Sequence, residues 1–188
     1  MSGENRKSKY TKLVLRDALL DMMKRQPITD ITVSGLCKAA DINRSTFYNH
    51  YRDAYDLLES IEREFYDSFV GKMSTINVLR PAQDTIALLF QQIYENRELC
   101  RILLGENGDK AFLRSVVAIR RDNNIDEVSR QIPGKPKSLI ADMYDFFISG
   151  CVGLAQKWVS DDFRDSPQHL AALCRKLFIA LVDGMKTA

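Results

Sequence analysis

The 188-residue sequence lacks most of what marks a secreted, membrane-bound or metal-dependent protein. Its four cysteines, Cys37, Cys100, Cys151 and Cys174, form no Cys-x-x-Cys pair, and with His50 and His169 they make no zinc-ligand spacing. No metal or other cofactor is therefore expected, and the thiols read as reduced, buried, small hydrophobes. No apolar run approaches the roughly 18 residues of a membrane span. The opening MSGENRKSKY is polar and has no apolar signal-peptide core. The expectation is a cytoplasmic protein without a membrane partner. Enzyme signatures are missing too. No nucleophile–base pair is apparent, and GENGDK at 105–110 lacks both the GxxxxGK[ST] spacing and a preceding strand.

What is present is divided in charge. Residues 1–52 carry ten Lys/Arg against five Asp/Glu, a balance of +5, and residues 53–188 carry seventeen against twenty, a balance of −3. A basic first segment on a mildly acidic remainder points to a polyanionic partner for the first segment alone.

Helical periodicity dominates. Leu15, Ala18, Leu19, Met22 and Met23 share one face of a helix over about 9–25, with Ser8 as its candidate N-cap and Pro27 beyond its end. Thr32 caps a short second helix and Asn43 a third, over 44 to about 51. Asp53 caps a long fourth helix with Leu57, Ile61, Phe65 and Phe69 in step. Further helices are predicted over about 81–96, 97–104, 110–121 and 137–160. Ser166 and Pro167 make an N-cap and first-turn pair for the last helix. QIPGKP at 131–136 is a loop, and no segment alternates long enough to demand a strand.

The segment 32–51 has the design of a helix-turn-helix. Leu36, Cys37, Ala40, Ile42 and Phe47 can form its interior, while the second helix offers Ser45, Thr46, Tyr48, Asn49 and His50, bracketed by Arg44 and Arg52. Hydroxyl, amide and guanidinium groups suit phosphate oxygens, and most protein–DNA hydrogen bonds go to the backbone. A helix N-terminus also attracts phosphate, which places Thr32 for such a contact. Base reading falls to the start of the third helix, chiefly Arg44, Ser45 and Thr46.

These residues carry a resemblance. Thr32-Val33, Ala40, Ile42-Asn43 and above all Ser45-Thr46-Phe47-Tyr48-Asn49-His50-Tyr51-Arg52, followed by Leu57-Leu58, resemble the TetR family of bacterial regulators. The resemblance implies that Thr32, Thr46, Tyr48 and His50 touch the DNA backbone, with Arg44 and Ser45 in or beside the base-reading set. Three positions depart from the family pattern: Asp41 where glycine is usual in the turn, Cys37 for a small alanine, and Ala54 where a lysine often stands. Farther along, Leu103 to Asp109 with Phe112-Leu113, and Phe147-Ile148-Ser149-Gly150 running to Trp158 and Ser166-Pro167, resemble a subgroup that includes regulators near dihydroxyacetone-kinase genes.

The expected architecture is all-α. A helix-turn-helix domain over 1–55 is joined by a long helix to a helical dimerisation and ligand domain over 56–188. Phe147, Leu154, Leu173, Leu177 and Leu181 are the candidate homodimer residues. Tyr94, Tyr144, Phe147, Cys151 and Trp158 are the candidates for a small effector. Gly150 and Gly153 read as a place where another helix approaches closely. The resemblance implies a homodimeric regulator of a duplex operator, with repression as the family default. The alternative is a co-regulator that recruits a protein partner and binds DNA weakly or not at all.

Overall fold

In the computed structural model of the protein, residues 6–75, 82–105, 116 and 121–187 are described, and they are helical with short connections. The helices are α1 (Arg6–Met23), α2 (Val33–Ala39), α3 (Arg44–Tyr48), α4 (Ala54–Thr75), α5 (Ala82–Glu95), α6 (Arg97–Leu103), α7 (Arg121–Gln131), α8 (Lys137–Ser160) and α9 (Pro167–Thr187). A 3-10 turn, Ile28–Asp30, links α1 to α2. Contacts divide the chain into two units, with the division in α4 between Ser68 and Phe69. That point lies beyond the 55/56 boundary read from the sequence, because Leu57, Leu58, Ile61 and Phe65 are buried along the first half of α4.

In the first unit, α1 buries Leu15, Leu19 and Met23, α2 buries Leu36 and Cys37, and α3 buries Phe47. Each such side chain is worth about 1.5–3 kcal/mol when removed from water. Arg16 Nη1 reaches Glu64 Oε2 at 2.9 Å and ties α1 to α4. Ser8 is not a cap. It sits inside α1, which already includes Arg6.

In the second unit, α9 packs chiefly on α5, and α8 contacts α6, α7 and α9. The start of α9 is capped as its sequence implies: Ser166 Oγ accepts from His169 N at 3.2 Å. The end of α8 is less ordinary. Asp162 and Phe163 take φ of 57° and 56°, and Phe163 N donates to Trp158 O at 2.9 Å. This bond closes a Schellman-type turn, and Phe163 packs back on Trp158 with ring centroids 4.9 Å apart. Trp158 also stacks on Tyr94 and meets Phe90 edge-on. By length and composition α8 could pass for a membrane span. Its inner face is instead used in the unit's own core through Ile140, Met143, Tyr144, Phe147 and Cys151, and Asp142, Asp145 and Lys157 interrupt its exposed side.

Candidate nucleic-acid interface

The helix-turn-helix is held by its caps. Thr32 Oγ1 accepts from Gly35 N at 3.1 Å, leaving its hydroxyl hydrogen available as a donor at the start of α2. A Cβ at Gly35 would stand 3.3 Å from both Thr32 Oγ1 and Met22 Cε, a tight fit that the flexible Met22 end would have to ease by a few tenths of an ångström. The turn is a Schellman motif: Ile42 N donates to Cys37 O at 2.9 Å and Asp41 N to Lys38 O at 3.5 Å. Asp41 fills its left-handed position at φ 52°, where the family resemblance implies glycine.

Asn43 organises α3. Its Oδ1 accepts from Thr46 N at 2.7 Å and from Ser45 Oγ at 2.7 Å. The second bond was not foreseen from the sequence, and it changes what Ser45 can do. With its proton directed to Asn43, Ser45 presents an acceptor outward. Arg44 is also partnered, donating from Nη2 to Ser34 Oγ on α2 at 2.6 Å. Its other guanidinium N–H groups remain as donors.

Burial separates the five residues of α3 sharply. Phe47 is fully buried, while Arg44, Ser45 and Tyr48 are exposed, Tyr48 by 58%. Thr46 and His50 are half-buried and Asn49 is exposed. The helix ends at Tyr48, short of the predicted Tyr51, and Asn49 caps it. Tyr51 is half-buried, and its ring lies 5.9 Å from that of Phe47.

Arg52 lies just ahead of α4 and is engaged with Asp56. Its backbone N–H donates to Asp56 Oδ2 at 2.9 Å, and Nη2 stands 3.3 Å from Oδ1. The bond from the Arg52 backbone, then the guanidinium, holds the Asp56 carboxyl below its usual range. Asp53 completes the cap by accepting from Asp56 N at 2.9 Å. Ala54 is buried, so it does not face outward, whereas its neighbour Tyr55 is 49% exposed. Ser34, Asn43 and Asp56, which bond to Arg44, Ser45 and Arg52, and the exposed Tyr55 were not among the site residues read from the sequence. The signal for Asn43 and Asp56 was their cap position, whereas Ser34 and Tyr55 carried none.

In the second unit the five candidate effector residues fall into different neighbourhoods. Tyr94 and Trp158 belong to the aromatic group with Phe90 and Phe163. Tyr144 is buried and accepts from Asn124 Nδ2 at 2.8 Å, and burial pushes its hydroxyl pKa up. Phe147 packs on Phe178 with centroids 5.0 Å apart, and Cys151 is buried beside it on α8. Of the candidate dimer residues, Leu177 is exposed and Leu154, Leu173 and Leu181 are half-buried. Phe147 is turned inward, and its neighbour Phe146 stands 72% exposed. Among the described residues, a Cβ at Gly150 or Gly153 would find nothing within 4 Å.

Residues 81–180 match a TetR-class family model described as a transcriptional regulator C-terminal region. The chain belongs to the TetR family of transcriptional regulators. An HTH-type activator of the dhaKLM operon, DhaS of Lactococcus lactis, is 26% identical over 125 residues, 65% of this chain and 63% of its own. An HTH-type regulator of Bacillus subtilis, YxbF, is 21% identical over 172 residues, 84% of this chain and 42% of its own. The chain thus spans less than two thirds of the length of either relative. Among solved structures, the dihydroxyacetone kinase operon activator DhaS aligns at TM-score 0.58 and 19% identity, over 92% of this chain and 96% of its own. A TetR regulator from Streptococcus agalactiae aligns at TM-score 0.68 and 16% identity, over 92% and 95%. The fatty acid degradation regulator FadR of Bacillus halodurans aligns at 0.67 and 16%, over 97% and 98%. These likenesses show a shared fold. The C-terminal region of this TetR-family regulator is of the DhaS-like kind expected from its sequence.

Proposed function

We propose that this TetR-family regulator acts in the cytoplasm as a homodimer on a duplex operator, with α3 in the major groove. Arg44 and Ser45 face base edges, Arg44 as donor and Ser45 as acceptor. Thr32, Thr46, Tyr48, Asn49, His50 and Arg52, joined by Tyr55, serve the phosphate backbone. The observation that carries this reading is the division within α3, where one fully buried phenylalanine anchors a helix whose other side is hydroxyls and a guanidinium. Two such heads about 34–36 Å apart read two half-sites one DNA turn apart. The second unit supplies the pairing surface through α8 and α9, and an effector acts there by preferring one dimer state.

The sign of regulation follows from where the operator lies relative to the promoter. The Lactococcus relative is named an activator, so a promoter–reporter fusion decides between activation and the repression implied by the family default.

The test is a gel-shift titration at fixed salt on a DNA site selected with the wild-type chain. Tyr48→Phe and Thr46→Ala are expected to weaken binding while circular dichroism stays unchanged. Affinity should also fall steeply with salt, as phosphate contacts require. Wild-type affinity in both variants removes the assignment of α3. Absence of DNA binding at low salt favours the protein-recruiting alternative.

A further inference from the structure

Cys151 on α8 and Cys174 on α9 occupy one layer of a helix seam whose register is fixed independently of them. Four residues before Cys151 is Phe147, and four after Cys174 is Phe178, and these two rings pack with centroids 5.0 Å apart. Trp158 at the far end of α8 donates from Nε1 to Asp165 O at 2.9 Å, just ahead of α9. The two helices therefore run antiparallel. The same register sets Met143 level with Val182 and Ala155 level with Leu170, and all four are buried. It brings the two thiols face to face, both buried.

We propose that Cys151 and Cys174 form a redox site, in which a hydroperoxide converts the facing thiols into a reversible disulfide between α8 and α9. The site needs no group beyond the two side chains and the oxidant. The thiolate of one cysteine attacks a peroxide oxygen and the O–O bond breaks. The leaving alkoxide or hydroxide takes up a proton, and that cysteine becomes a sulfenic acid. The sulfur of the other cysteine then attacks it, forming the S–S bond and expelling water. Two thiols lose two electrons and two protons in all, and the peroxide is reduced to an alcohol or water, plus water.

Access is from the Cys151 side, since Cys174 has no solvent exposure and Cys151 retains 8%. Oxidation is accordingly slower than at a surface thiol. Cys100 serves as an internal control: it is equally buried, and burial alone pushes its thiol up to about 12.

The experiment uses the folded, full-length wild-type chain and hydrogen peroxide. After treatment and quenching, the protein is unfolded, its remaining thiols are alkylated, and digests are mapped by mass spectrometry. The expected result is loss of two of the four alkylatable thiols. The Cys151 and Cys174 peptides should be recovered as one linked species, Cys37 and Cys100 should remain alkylated, and a dithiol reductant should restore all of them. Alkylation of both Cys151 and Cys174 under conditions that fully oxidise a small dithiol overturns the proposal. So does oxidation of either to a sulfinic acid, or linkage of either to Cys37, Cys100 or a second copy. None of these readouts requires an operator, so the outcome is independent of the DNA-binding reading.

Discussion

The guanidinium of Arg44 donates to the hydroxyl of Ser34, from the first residue of α3 to α2, at 2.6 Å. The arginine proposed to face the bases is therefore held by a residue on the neighbouring helix. Both groups are exposed, so the bond contributes little to folding. Ser34→Ala is expected to leave the melting temperature within about 2 °C of wild type, as a change below ~0.5 kcal/mol implies. Discrimination at the base pair read by Arg44 should fall several-fold, towards the loss given by Arg44→Ala. Competition binding with single-base operator variants checks this, and unchanged discrimination in Ser34→Ala removes Ser34 as an aiming residue.

Asp41 holds a left-handed backbone in the turn at φ 52°. Aspartate pays part of the steric cost that glycine escapes, and a β-branched residue pays all of it. Thermal melts should rank Asp41→Gly at or above wild type, by up to about 1 kcal/mol, and Asp41→Val below it by at least about 1 kcal/mol. The reverse order would mean that the aspartate side chain, not the backbone, holds the turn.

The Asp56 carboxyl is held below its ordinary value of 3.8 by the Arg52 backbone N–H and guanidinium. A depressed carboxylate binds its proton more weakly when folded than when unfolded. Its contribution is thus fully present above pH ~4 and is lost as pH falls through the folded value. Denaturant melts of wild type and Asp56→Ala should differ by a constant amount near neutrality and converge as the pH drops below ~4. A gap that persists at acid pH would assign the effect to packing rather than to charge.

Phe146 and Phe147 are neighbours with opposite duties, one 72% exposed and the other 5%. Phe147→Ala should destabilise the chain by about 3–5 kcal/mol by emptying its place against Phe178. Phe146→Ala should leave the secondary structure intact and weaken dimerisation in sedimentation equilibrium, with Leu177→Asp acting in the same direction. Wild-type assembly in both exposed-face variants would move the pairing surface off α8 and α9.

Much of this arrangement was legible because caps and apolar spacing are local signals. Thr32, Asn43, Asp53 and Ser166 accept the cap bonds their positions imply, and α8 spans Lys137–Ser160 as its periodicity predicts. Helix α7 was not legible. Its sequence RDNNIDEVSRQ puts an amide at an inward position, where Asn124 is buried by bonding to Tyr144, and Ile125 and Val128 alone make too thin a stripe. That Phe147 turns inward and Phe146 outward was not legible for a similar reason. Adjacent helical residues point about 100° apart, and with both aromatic only the packing partner decides which turns in. Ser34 was invisible because its role depends on a partner ten residues away across a turn. Most of the helix read over about 110–121 and the side chain of Phe69 lie outside the described residues.

Helix α3 is anchored by one buried ring and one capping amide, and its exposed side chains, Arg44, Ser45 and Tyr48, lie outside the interior. On the proposed reading, new lettering can therefore be written at Arg44 and Ser45 while Phe47 and Asn43 hold the page. Such a head drifts to a new DNA address through single substitutions, each intermediate still folded, which lets duplicated copies of one regulator part company quickly.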